Sequence, residues 1–174
     1  MNDRDRIFDR LPPARGEGPV AVQKPVVDGD WELLRIRLES LGAELRTIES
    51  LEEIRGRRAI WDTRLADLAI DLGLIAAGVW DAEVGLSIAE FAIGETGSVV
   101  LAAGPESARL GSLAPPLNVV FVRRLVATLE DAFALGMPAA TTVIVTGPSR
   151  TADIEGILVR GVHGPGAVWV VREP

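Results

Sequence analysis

Short apolar runs recur along this chain, and stretches with helical spacing separate most of them. Residues 118–122 (Asn118, Val119, Val120, Phe121, Val122), 143–145 (Val143, Ile144, Val145) and 168–171 (Val168, Trp169, Val170, Val171) read as strands. Between and before them, apolar side chains fall at helical intervals. Trp31, Leu34, Leu38 and Leu41 form one such stripe, Leu65, Leu68, Ala69 and Leu72 a second, and Leu125, Val126, Leu129, Ala132 and Phe133 a third. Strands alternating with helices predict an α/β sandwich around a mainly parallel sheet, because a crossover helix is the usual way to bring the next strand in parallel.

Punctuation residues set the boundaries. Asp30 is placed to cap the first helix and Gly42 to close it. Residues 43–48 make a weak strand. Ser50-Leu51-Glu52-Glu53 has the form of a capping box opening a short helix. A strand over 58–61 precedes Asp62, which is placed to cap the second stripe, with Gly73 after it. Residues 74–77 are a further short apolar segment, and 84–90 suit either a helical turn or a strand. Residues 91–95 and 98–102 flank Thr96-Gly97 as a hairpin with a two-residue turn. Residues 106–110 predict one helical turn, and Pro115-Pro116 forces an extended entry to the 118–122 strand. The first 29 residues carry Pro12, Pro13, Gly16, Gly18, Pro19, Pro25 and Gly29, which predicts a flexible N-terminal arm over 1–29 and a single α/β domain over 30–174.

Composition narrows the function classes. A net charge of −7 argues against a nucleic-acid surface and offers no membrane-seeking basic face. The 174 residues contain no cysteine, which excludes disulfides, thiolate catalysis and a self-held iron–sulfur cluster. One histidine, His163, rules out a histidine-rich zinc site. No uninterrupted apolar segment reaches membrane-spanning length, and the mixed-charge start lacks the core of a secretory signal, so a cytoplasmic protein is expected.

Three stretches can carry chemistry. The first is residues 146–155. The run 143–145 ends at Gly147-Pro148, and a helix is expected to begin there, with Ser149 or Thr151 as N-cap and Asp153 and Glu155 in its first turn. Such a corner would aim backbone N–H groups at an anion, with Arg150 as a nearby cation. The plainer alternative is a corner whose cap satisfies only itself. The second is Glu90 and Glu95, the latter beside Thr96-Gly97 at the hairpin tip. A carboxylate there is a candidate nucleophile or base, or is simply solvated. Glu90 interrupts an apolar run and calls for a polar partner, with Arg109 or Arg150 as candidates. The third is Gly161-Val162-His163-Gly164-Pro165-Gly166, where His163 contacts either a ligand or the turn backbone. Asp62, Asp67 and Asp71 lie on one short helix, but two exposed carboxylates without further ligands predict no metal site.

These motifs together resemble a known family. Residues 86–101, with Ala89-Glu90 and Gly94-Glu95-Thr96-Gly97, are similar to its "alanine-acid, then alanine-acid-threonine-glycine" hairpin, Gly94 standing where the family has alanine. Residues 112–116 resemble its leucine-proline-proline strand entry. Thr146 to Glu155, followed by residues 159–165, resembles its closing signature almost residue for residue. The chain is identified as a member of the LUD-domain family, resembling lactate-utilisation protein C, over about residues 31–174. The resemblance implies a Rossmann-like three-layer sandwich like that of sugar-phosphate isomerases and CoA transferases (the NagB/RpiA/CoA-transferase-like fold). It implies a part in oxidising L-lactate to pyruvate beside partner subunits that carry iron–sulfur clusters, with no intrinsic cofactor here.

The leading expectation is therefore a component of a lactate-oxidation system that binds a small anion, a carboxylate, phosphate or CoA-like group. Its site would combine Glu90, Glu95, Thr96, Gly97, Gly147, Ser149, Arg150, Thr151 and His163. An alternative is a stand-alone CoA-transferase or phosphosugar-isomerase-like enzyme using Glu95. A third is a non-catalytic interaction or regulatory module. No nucleic-acid partner and no membrane insertion are expected, and homo-oligomerisation is left open.

Overall fold

The computed structural model describes residues 26–104, 109–136, 141–152 and 158–173. Six strands form a fully parallel sheet: β1 (Glu44–Arg46), β2 (Arg58–Trp61), β3 (Ile75–Ala76), β4 (Val84–Ala89), β7 (Leu117–Val122) and β12 (Ala167–Arg172). Their spatial order is β1-β12-β7-β4-β2-β3. The three central strands are the most apolar, because both of their faces are covered. On β7, Leu117, Val119 and Phe121 face one core, while Val120 and Val122 face another.

One face of this sheet packs on two 3₁₀ segments, Ile48–Ile54 and Thr63–Leu65, and on the short helix α2 (Ala66–Asp71). Leu51, Ile54, Leu65 and Leu72 fill that core. The other face packs on helix α1 (Trp31–Leu41) through Leu34 and Leu38, and on a second, four-stranded sheet. The second sheet has the order β8-β5-β6-β9, from β5 (Phe91–Ile93), β6 (Ser98–Ala102), β8 (Leu125–Val126) and β9 (Thr142–Val145). Its outer face, with Phe91, Ile93, Val100 and Val126, is covered by helix α4 (Leu129–Ala134) through Ala132.

The expected α/β architecture with a mainly parallel sheet is present, and so is the hairpin. The hairpin is half of the second sheet, not an isolated insertion. Parallel strands β4 and β7 run on into β5 and β8, which again pair in parallel. The hairpin turn is four residues, since Ile93 pairs with Ser98 and Gly94 to Gly97 lie between them.

Several local expectations are corrected. The 125–133 stripe splits. Leu125 and Val126 are strand, and the helix starts only at Leu129, after a capping box in which Thr128 and Asp131 satisfy each other's backbone N–H. Phe133 is exposed in consequence. The Ser50 capping box does not form. The segment is a 3₁₀ helix that begins at Ile48, and Ser50 Oγ donates back to Thr47 O at 2.6 Å. Helix α3 is Arg109–Leu113; the expected turn begins at 106, outside the described residues.

The largest correction concerns residues 146–155. No helix starts at Ser149 or Thr151. Arg150–Ala152 is a strand, β10, pairing antiparallel with β11 (Leu158–Arg160) as a separate two-stranded ribbon. Thr151 sits in that ladder, and Ser149, just before it, donates its N–H to Pro165 O. Asp153 and Glu155 lie outside the described residues.

Residues 1–25 also lie outside the described residues, but 26–29 belong to the fold. Asp28 bridges Val126, Gly29 N–H donates to Leu125 O at 3.0 Å, and Ala127 N–H donates to Val27 O at 2.9 Å. A Cβ on Gly29 would lie 2.6 Å from Val126 O, so this close approach needs glycine.

Candidate functional site

A cavity of about 690 Å³ opens where β4, β7 and β12 begin. Trp80 precedes β4, Leu113 and Pro116 precede β7, and Arg160, His163 and Gly164 precede β12; all six line the cavity. Open parallel sheets usually hold ligands past the carboxyl ends of their strands, and the sequence placed residues 146–151 at such an end. The structure differs, for a topological reason. Strand β9, which leads into Gly147, belongs to the second sheet, so its end is not an end of the parallel sheet.

The 161–166 loop that lines this cavity is braced from behind by the Ser149 stretch. Ser149 N–H donates to Pro165 O at 2.8 Å, and Gly161 N–H donates to Ser149 O at 3.0 Å. Gly161 has φ of 74°, and a Cβ there would sit 3.0 Å from Gly166 Cα, so the loop folds tightly on itself. A Cβ on Gly164 would lie 3.1 Å from Ser149 Cβ. The Ser149 stretch and the His163 loop are thus held together, as the sequence suggested, but by backbone hydrogen bonds and close glycine packing. His163 is exposed in this lining.

The arginine in the lining is not the one expected. Arg150 Nη2 donates to Leu41 O, at the C-terminal end of α1. This satisfies a carbonyl that helix geometry leaves unpaired and sets a positive charge at the negative end of the helix. Arg160, two residues before Val162, lines the cavity instead. Its guanidinium lies on Gly42, the left-handed C-cap of α1, where a Cβ would come within 3.0 Å of Nη1. A side chain at 42 would push Arg160 aside. The readable signal was a cation beside a glycine-histidine-glycine loop. Trp80 was missed too, although a tryptophan in a short loop between Gly78 and Asp81 is a cue of its own.

The hairpin residues gather elsewhere. Thr96 Oγ1 donates to Ser98 Oγ at 2.8 Å, and Ser98 Oγ lies 2.8 Å from Thr146 Oγ1. This row of hydroxyls joins the hairpin tip to the start of the Gly147 turn. Gly97 and Gly147, both with positive φ, press on α1. A Cβ on Gly97 would sit 2.8 Å from Arg37 Cβ, and one on Gly147 would sit 2.9 Å from Leu41 Cβ. Glu95 is exposed, and its Oε2 accepts from Leu129 N–H at 3.4 Å, at the first turn of α4. Glu90 lies at the opposite end of β4 from the cavity, exposed, with its N–H donating to Val100 O. Being solvated, it needs no buried partner; Arg150 is engaged at Leu41. Thr151 pairs with Val159 in the ribbon.

The aspartates do not share one helix: Asp62 caps the Thr63–Leu65 segment, and only Asp67 and Asp71 lie on α2. Asp62 is 2% exposed and accepts from the Arg64 backbone and guanidinium. Asp67 and Asp71 are exposed on α2. Among the described residues no group of three or more His, Cys, Asp or Glu side chains could hold a metal ion, and no helix is long and apolar enough to cross a membrane.

The LUD domain model matches residues 64–171, which covers four of the six parallel strands, the whole of the second sheet with its hairpin, and the 161–166 loop. The chain belongs to the LUD domain family. It is 36% identical over 140 residues to the uncharacterized protein YkgG of Escherichia coli, covering 64% of this chain and 60% of that protein. It is 34% identical over 130 residues to lactate utilization protein C of Macrococcus caseolyticus, covering 60% and 55%. With lactate utilization protein C of Geobacillus kaustophilus the identity is 28% over 162 residues, covering 87% and 61%. The chain thus spans little more than half the length of these LUD relatives. A crystal structure of a DUF162 family protein from Deinococcus radiodurans superposes with a TM-score of 0.55 at 18% identity, over 81% of this chain and 94% of that one. That likeness shows the fold.

Proposed function

We propose that this LUD-domain chain is a component of an L-lactate utilisation system and that its task is to bind a small anion in the Arg160–His163 cavity. The system would oxidise L-lactate to pyruvate. The iron–sulfur clusters that take the electrons would belong to partner proteins, since this sequence has no cysteine to hold one. The lactate assignment comes from the relatives named lactate utilization protein C.

The observation that carries the anion reading is the cavity lining. A guanidinium offers a fork of donors to a carboxylate or phosphate. His163 adds an N–H donor beside it. The surrounding glycines let backbone amides come close without side-chain interference. Leu113 and Pro116 supply an apolar wall. Ser149 acts through the loop it braces. Glu95 does not line this cavity, and as a nucleophile it would first have to leave Leu129 N–H.

Calorimetry on the full chain tests the reading, with L-lactate, pyruvate, inorganic phosphate and CoA, alone and beside the iron–sulfur partners. At least one anion should bind, and Arg160→Gln should weaken it at least tenfold, the loss expected for one charge-assisted pair. If none of them binds in either setting, the anion reading is wrong.

A further inference from the structure

The cavity is much larger than a three-carbon acid requires. Sites of roughly 300–1,000 Å³ take drug-sized ligands, and about 690 Å³ falls well inside that range. Its lining is also of two kinds. Leu110, Leu113, Ala114 and Pro116 give an apolar wall, while Arg160, His163 and the glycine loop give donors.

Trp80 is the second observation. It is 82% exposed, yet it lines the cavity. Two other indoles have a face taken: Arg172 lies 4.7 Å over Trp31 and Arg46 lies 4.2 Å over Trp169. Among the described residues no cation lies over Trp80. A large apolar ring left in water beside a roomy cavity is a stacking platform for a flat partner.

We infer that this site takes a nucleotide-class ligand, an aromatic ring system joined to a phosphate, with the ring on Trp80 and the phosphate at Arg160 and His163. This rests on the anion-binding reading above and adds the ring. A ring and a phosphate separated by a sugar account together for the volume, the free indole and the cationic corner. A lone small carboxylate would use only the last of these.

Calorimetry at fixed ionic strength on the full chain tests it with AMP, adenosine, ribose 5-phosphate, inorganic phosphate and L-lactate. AMP should bind at least tenfold more tightly than ribose 5-phosphate, the size of effect expected from stacking one base. Trp80→Ala should erase that tenfold advantage and leave ribose 5-phosphate unchanged. Arg160→Gln should weaken AMP and ribose 5-phosphate together, by at least tenfold, and leave adenosine unchanged. Trp80 is mostly in water, so its replacement should leave the melting temperature in place and the binding result readable. If L-lactate or inorganic phosphate binds as tightly as AMP, or Trp80→Ala leaves AMP binding intact, the nucleotide inference falls while the anion reading stands. If no anion binds, both fall.

Discussion

The glycines of the 94–97 turn and those of the 161–166 loop sit in stretches that look alike in sequence, and the fold uses them for different ends. Gly97, with Gly147 beside it across the hydroxyl row, lets two turns press into helix α1 at Arg37 and Leu41. Gly161, Gly164 and Gly166 instead fold a loop onto itself and onto Ser149, leaving an open wall with His163 and Arg160 in it. The first set lets secondary structure close ranks. The second borders an open cavity. A glycine-rich signature therefore marks close backbone approach, and only the surroundings say whether the approach is to a helix or to another loop.

That contrast can be broken by substitution. Gly97→Ala meets Arg37 Cβ at 2.8 Å and a φ of 68°. Crowding costs about 1–3 kcal/mol and the left-handed backbone about 1–2 kcal/mol, so a loss of roughly 3 kcal/mol is expected. Thermal melting should show a fall of about 6–12 °C, while ligand binding well below the transition stays as it was. Equal loss of ligand binding would mean the turn is part of the site after all.

Ser98→Ala comes next. Ser98 is 2% exposed and is the middle of the hydroxyl row. Its removal should cost about 1–2 kcal/mol, read by urea unfolding, with the thermal shift smaller than for Gly97→Ala. No change would mean the row adds nothing to the join between hairpin and Gly147 turn.

Gly94→Ala sharpens the comparison within a single turn. Gly94 lacks positive φ, and its nearest neighbour to an added Cβ is Val126 O at 3.6 Å, an ordinary contact. The substitution should stabilise by about 0.4–1 kcal/mol through the unfolded chain, and a lower melting temperature would contradict that. The alanine expected at this place from the resemblance therefore fits the structure, and the glycine here is tolerated, not required.

The smallest effect lies outside both regions. Glu83 accepts first from the Arg58 backbone N–H and then from its guanidinium, which hold its carboxyl below the ordinary value of 4.5. A depressed carboxylate adds stability that is present above the unfolded-state value and is lost as pH falls through the folded one. Glu83→Gln should therefore lessen the fall in stability on acidification below about pH 4.5 and alter little near neutrality, as an exposed pair should. Melting curves across that pH range check it.

What could be read from residues alone follows from how local the information is. Helix α1 was legible because Asp30 and Gly42 bracket an apolar stripe, and both act as caps in the structure. Strands β7 and β12 were legible because burial on both faces leaves almost uninterrupted apolar runs. Residues 150–152 misled because serine, threonine and acidic residues after a Gly-Pro stop are also what a helix start looks like. What decides their state is pairing with Leu158–Arg160, which no local pattern announces. Leu125 and Val126 likewise fit a helical stripe, while the Thr128–Asp131 box that delays the helix was there to be seen. Of the candidate site, the meeting of the Ser149 and His163 loops was legible. The exchange of roles between Arg150 and Arg160 was not, because it depends on where the end of α1 comes to lie.

The order of the parallel sheet has a consequence for how the chain folds. Among the described residues strand β1, at one edge, pairs only with β12, so Glu44 must find Trp169 across nearly the whole described chain. Contacts that distant raise contact order and slow folding. On the ribosome, helix α1 and β1 would emerge well before β12 and wait for it before their partner surface exists. Because β12 also fills the gap between β1 and β7, the two cores on either side of the sheet would close in the same late event.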